Sequence, residues 1–136
     1  MIANRTTADR KVVLSTLWIF VLFTYIYADL APMIFDPMAP LGATGAAEGV
    51  VLGFAVFMQT AIVMVLLSRV LTYGANRWAN IIAGVLHALI ISWLLFAGSP
   101  PVHYIFSATI VIACTLFIVW YAWTWRDPEA NPNKIS

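Results

Sequence analysis

An all-α integral membrane bundle of four transmembrane helices is the fold this sequence predicts, and three observations predict it. Of 136 residues, 62% are hydrophobic and 10% charged, where a soluble domain would carry about 25% charged residues. Four charge-free apolar runs, residues 12–27, 49–68, 81–98 and 104–125, approach the length of about 20 residues that a helix needs to cross the hydrocarbon core. Helix breakers separate the runs: Pro32, Pro37, Pro40, Gly42 and Gly45 after the first, Gly74 after the second, and Gly98, Pro100 and Pro101 after the third. One transmembrane domain over residues 1–136 follows, with helices at about 12–30, 47–69, 77–98 and 102–125 and a short polar tail at 126–136. Little chain is left for a soluble domain, and a formal net charge of +1 offers no polybasic surface for nucleic acid.

The first run follows Arg5, Arg10 and Lys11 as a signal peptide would, but Tyr27, Asp29 and Leu30 occupy the place of a small-residue cleavage site. It therefore reads as a retained helix. Placing the N-terminus in the cytoplasm puts Arg5, Arg10, Lys11, Arg69, Arg77, Arg126 and Lys134 on the inner side and leaves Asp29, Glu48 and His103 outside. The excess of cations on cytoplasmic loops then predicts both termini inside. Trp78, Trp120, Trp123 and Trp125, with Tyr73 and Tyr121, are expected as an inner interfacial belt.

Gly45, Gly49 and Gly53 repeat every four residues at the start of helix 2, and Asn76, Asn80, Gly84 and Ala88 form a second small stripe on helix 3. Close approach over small residues is a leading source of helix association in lipid. Such stripes pack neighbouring helices or join subunits, and a bundle this thin is expected to form a homo-oligomer.

Polar groups inside the membrane carry the functional signal, because each needs a partner, water or a ligand. Positions eleven apart share a helix face to within about 20°. That rule aligns Ser15, Trp18, Tyr25 and Asp29 on helix 1, Glu48 and Gln59 on helix 2, Asn76, Asn80 and His87 on helix 3, and His103, Ser107, Cys114 and Tyr121 on helix 4. Tyr25, Gln59, His87 and Cys114 fall near mid-membrane as a candidate ligand-binding tier. Asp29, Glu48 and His103 group at the outer mouth. A neutral His87 bonded to Gln59 would be interhelical glue, and in a cavity it would orient a ligand or carry a proton. The outer tier reads as solvated helix ends or as a cation mouth. Five methionines at no recognised spacing assign no metal, and no cofactor signature is legible. Met33, Ile34, Phe35, Met38 and Leu41 give the connection at 31–47 an apolar character that suits either a lid over the mouth or a simple interfacial loop held by lipid.

No H-E-x-x-H, G-x-S-x-G, phosphate-binding glycine loop or C-x-x-C is present, and Cys114 stands alone. Binding or transport of a small or lipid-like molecule is the leading expectation. A redox or quinone-linked role with His87 as proton relay, and a structural subunit without ligand, are the alternatives.

Residues 14–29 (LSTLWIFVLFTYIYAD), 75–84 (ANRWANIIAG) and 114–123 (CTLFIVWYAW) resemble a family of short bacterial four-helix membrane proteins described only as a domain of unknown function. The resemblance covers most of the chain and implies four spans in a bacterial inner membrane. It implies no activity, cofactor or catalytic residue.

Overall fold

A computed structural model describes residues 2–35 and 48–126. Four helices are present, α1 (Ile2–Phe35), α2 (Glu48–Val70), α3 (Tyr73–Phe96) and α4 (Val102–Trp123), with no strand among the described residues. All four are long and apolar enough to cross a membrane.

The helix limits differ from the apolar runs for local reasons. α1 has 34 residues, about 51 Å at 1.5 Å per residue, so it outreaches a core of about 30 Å. The helix starts ten residues ahead of the apolar run, in a polar segment, and carries on three residues past Pro32. α3 begins at Tyr73, ahead of the expected start at 77, with Gly74 in its first turn. First-turn N–H groups have no partner within the helix, so glycine breaks nothing there. Only Leu71 and Thr72 separate α2 from α3. Pro101 caps α4, its carbonyl accepting the Tyr104 and Ile105 N–H groups at 3.0 and 3.1 Å.

Around the bundle the order is α1, α2, α3, α4, with α4 packed back on α1 and the broadest contact between α3 and α4. Gly84 makes that contact close. A Cβ placed on it would lie 2.7 Å from Val119 Cγ2 and 3.1 Å from the Thr115 carbonyl oxygen. The other stripe behaves differently: a Cβ placed on Gly49 or Gly53 has nothing within 4 Å, and Gly45 lies outside the described residues. Every residue from Glu48 to Val56 is exposed, so the first half of α2 stands off from its neighbours.

Leu14, Trp18, Val21, Ala61, Ile118 and Ala122 fill the centre, while Phe23, Leu52, Leu66, Ile82, Leu89 and Leu116 point outward. So much exposed apolar surface fits lipid rather than water. The alternating helix directions gather Arg10, Lys11, Arg69, Arg77 and Arg126 at one end, here the basic end, and Asp29, Glu48 and His103 at the other, the acidic end. Trp78, Trp120 and Trp123 are exposed near the basic end, as interfacial anchors should be. Trp125 departs from the expected belt: it is 3% exposed, meets the Tyr73 ring edge-on at 5.2 Å, and its carbonyl accepts the Tyr73 hydroxyl at 2.7 Å. Arg10 donates to the Tyr121 carbonyl at 3.1 Å and lies over that ring. A cation is thus bound to the carbonyl end of α4, where the helix dipole favours it.

Candidate functional site

Two buried polar clusters join α1 to α3 across the middle of the bundle. The first lies toward the basic end and is built on Asn80. Its Oδ1 accepts Trp18 Nε1–H at 2.8 Å and Ser68 Oγ–H at 3.2 Å. Its Nδ2 donates to the Asn76 carbonyl at 2.9 Å and to Asn76 Oδ1 at 2.6 Å. Asn76 Nδ2 in turn donates to the Ser68 carbonyl at 2.6 Å. Nearby, Arg69 Nε donates to Ser15 Oγ at 3.2 Å, and that hydroxyl donates to the Val65 carbonyl at 2.9 Å. With both amides engaged, this cluster has the chemistry of interhelical glue.

The second cluster surrounds His87, which is fully buried. Phe57 stacks on the imidazole with centroids 4.2 Å apart, and Trp18 meets it edge-on at 5.2 Å. Tyr25 Oη lies 2.9 Å from Nδ1 and Thr60 Oγ1 lies 2.8 Å from Nε2. Thr60 Oγ1 is also 2.6 Å from the Phe57 carbonyl oxygen, to which it donates. That last bond fixes the protons, since a hydroxyl has one to give. With the threonine proton on Phe57, Nε2–H must donate to Thr60 and Nδ1 must accept from Tyr25. His87 is therefore assigned as the neutral Nε2–H tautomer, and the Tyr25 proton is committed inward.

Tyr25 also belongs to the wall of a cleft at the acidic end. It is shallow and open: about 340 Å³ lies among all four helices when the space of the open mouth is counted, of which only about 20 Å³ is cavity proper. Thr24, Tyr25, Asp29, Tyr104 and Ser107 supply its polar lining, and Phe54, Met58, Ile91 and Val111 its apolar lining. Ser107 is 3% exposed, yet its Oγ has no hydrogen-bond partner. Buried hydroxyls are rarely left so. Thr24, by contrast, returns its hydroxyl to the Phe20 carbonyl at 2.9 Å.

The expected site residues divide accordingly. Tyr25 and His87 meet directly. Gln59 does not join them: it is exposed, because Phe57, Ala61, Met64 and Ser68 define the inward face of α2 and Gln59 lies about 200° around from Phe57. Thr60, next along the chain, takes the place expected of it. Cys114 is half-buried with Sγ 3.8 Å from the Leu17 carbonyl oxygen. Asp29 lines the cleft, whereas Glu48 and His103 are exposed outside its lining. No cluster of His, Cys, Asp and Glu suited to a metal ion occurs among the described residues; of the apolar lid expected over 31–47, residues 31–35 instead continue α1, with Ile34 and Phe35 exposed, and 36–47 lie outside the described residues. Sequence reasoning overlooked Thr60, Ser68 and Phe54. Of these, Ser68, eleven residues after Phe57, and Phe54, seven before Ala61, fall on the azimuth of the buried stripe of α2, whereas Thr60 does not.

Thr60→Val should cost about 1 kcal/mol by removing the acceptor for His87 Nε2–H, while Gln59→Leu should stay within about 0.5 kcal/mol of the parent. Unfolding in mixed micelles measures both.

No curated protein and no solved structure matches the chain. The DUF6326 sequence profile covers residues 2–131, the four helices and the cleft between them included, and the chain belongs to this family of unknown function.

Proposed function

We propose that this is a multi-pass membrane protein that binds a small lipid-like molecule in the acidic-end cleft. The observation that carries the reading is the composition of the cleft wall. It joins an apolar side, Phe54, Met58, Ile91 and Val111, to a polar side that holds an unpartnered buried hydroxyl, Ser107 Oγ. An amphipathic guest satisfies both sides. The splayed first half of α2 leaves a lateral way in from the bilayer. Below the cleft, Leu14, Trp18 and Ile118 are fully buried, which favours binding over a continuous pore. A relay through His87 is less well supported, because its donor chain ends on the Phe57 carbonyl, which has no proton to pass on.

The reading includes a bacterial inner-membrane location with both termini in the cytoplasm, supported by the cations at the basic end. A C-terminal reporter active only outside the cytoplasm gives no signal in this orientation. Homo-oligomer formation is part of the proposal too, with the open Gly49 and Gly53 stripe as the contact. The test of the function is retention: native mass spectrometry of protein released gently from its own membrane should show a discrete small mass bound to the chain.

A further inference from the structure

The lining of the cleft also specifies what kind of head group it takes, an inference that rests on the binding reading above. Hydrogen-bond accounting comes first. Tyr25 has given its only proton to His87 Nδ1, so toward any guest its oxygen can only accept. Asp29, when ionised, likewise only accepts. Thr24 has given its proton to the Phe20 carbonyl and also only accepts, while Ser107 Oγ, which has no partner, and the Tyr104 hydroxyl can do either. The wall therefore offers acceptors in excess and asks for a donor.

Charge points the same way. Among the described residues, every Lys and Arg stands at the basic end, so none faces Asp29 at its own end, where His103 is exposed outside the cleft lining. Aromatic rings complete the setting, since Tyr25, Tyr104 and Phe54 all line the same space as Asp29. Aromatic faces beside a carboxylate favour an organic cation through the ring quadrupole. An anionic head would meet Asp29 with no Lys or Arg to compensate it.

We propose that the cleft binds an amphiphile with an ammonium head, the N–H groups donating to Asp29, Ser107 and the Tyr25 oxygen and the alkyl part lying along Met58, Ile91 and Val111. Such a head could belong to an aminophospholipid of the bilayer or to a dissolved alkylamine, which share this chemistry.

The experiment measures equilibrium binding of labelled decylammonium, decanol and decyl sulfate to the full chain in maltoside micelles, with empty micelles subtracted. Decylammonium is expected to saturate at one per chain. Asp29→Asn, a change at an exposed position, should weaken it about tenfold while leaving decanol binding unchanged. Thr24→Trp, which places a large ring at the mouth, should abolish binding of both. Added phosphatidylethanolamine competes if the natural head is that of a lipid, and a soluble amine is indicated if it does not; either result upholds an ammonium site. Decanol or decyl sulfate binding as tightly as decylammonium, blocked by Thr24→Trp and indifferent to Asp29→Asn, would overturn the ammonium preference and leave the cleft as a binding site. Failure of all three probes to saturate would overturn both.

Discussion

Replacing Asn80 with leucine is expected to remove about 2–4 kcal/mol of stability. Four hydrogen bonds end on its amide, and a side-chain hydrogen bond between membrane helices is worth about 0.6–1 kcal/mol. The loss falls on groups that cannot turn to water: Trp18, Ser68 and Asn76 are all fully buried. The double change Trp18→Phe with Asn80→Leu should cost less than the sum of the two single changes, since both delete the bond from Trp18 Nε1. Reversible unfolding in mixed micelles reads these values. An Asn80→Leu protein as stable as the parent would remove the cluster from the account of what holds α1, α2 and α3 together.

Gly84→Leu is the second large effect, and its interest lies in the contrast with Gly53→Leu. At Gly84 even one added carbon meets Val119 Cγ2 at 2.7 Å and the Thr115 carbonyl at 3.1 Å. The methyl can turn aside but the carbonyl belongs to the α4 backbone, so a leucine must part α3 from α4. Overpacking of this kind costs about 1–3 kcal/mol, and it falls on the broadest helix contact in the bundle. At Gly53, which is exposed, an added Cβ meets nothing within 4 Å, and the folded subunit should be unchanged within about 0.5 kcal/mol. A Gly53→Leu protein that keeps its fold but changes its mass in native micelles would place that stripe between subunits. Equal destabilisation at both glycines would contradict the packing described.

The two glycine stripes look alike in sequence, and what separates them is the splay of α2, a property of helix placement rather than of any local pattern. Other parts of the bundle were legible because they depend on one helix at a time. Charge-free runs of about 20 residues mark the spans through hydrocarbon thickness alone. The eleven-residue rule put Tyr25 on the inner face of α1 and Asn76, Asn80 and His87 on that of α3, where they are buried. On α2 the same rule followed Glu48 and Gln59 and so chose the outer side. The error has a physical source in threonine. Thr16, Thr24 and Thr109 each return the hydroxyl to a carbonyl of their own helix, so a threonine in a span needs no partner and announces no face. Thr60 does the same with Phe57, and its second role, accepting from His87, shows only when α2 and α3 are side by side. Ser107 lay on the expected polar stripe of α4, but its lack of a partner depends on the shape of the cleft and is not written in the stripe.

The central claim is that the acidic-end cleft holds a guest, and the most direct measurement weighs that guest. Parent, Thr24→Trp and Leu89→Trp proteins would be released from their own membrane under identical gentle conditions and compared by native mass spectrometry. Thr24 is at the cleft and Leu89 is exposed on the outer surface of α3, so the second variant adds the same ring where no guest is expected. The account predicts one discrete small mass on the parent and on Leu89→Trp, absent from Thr24→Trp. The same spread of lipid adducts on all three proteins, with no mass that depends on Thr24, would contradict it.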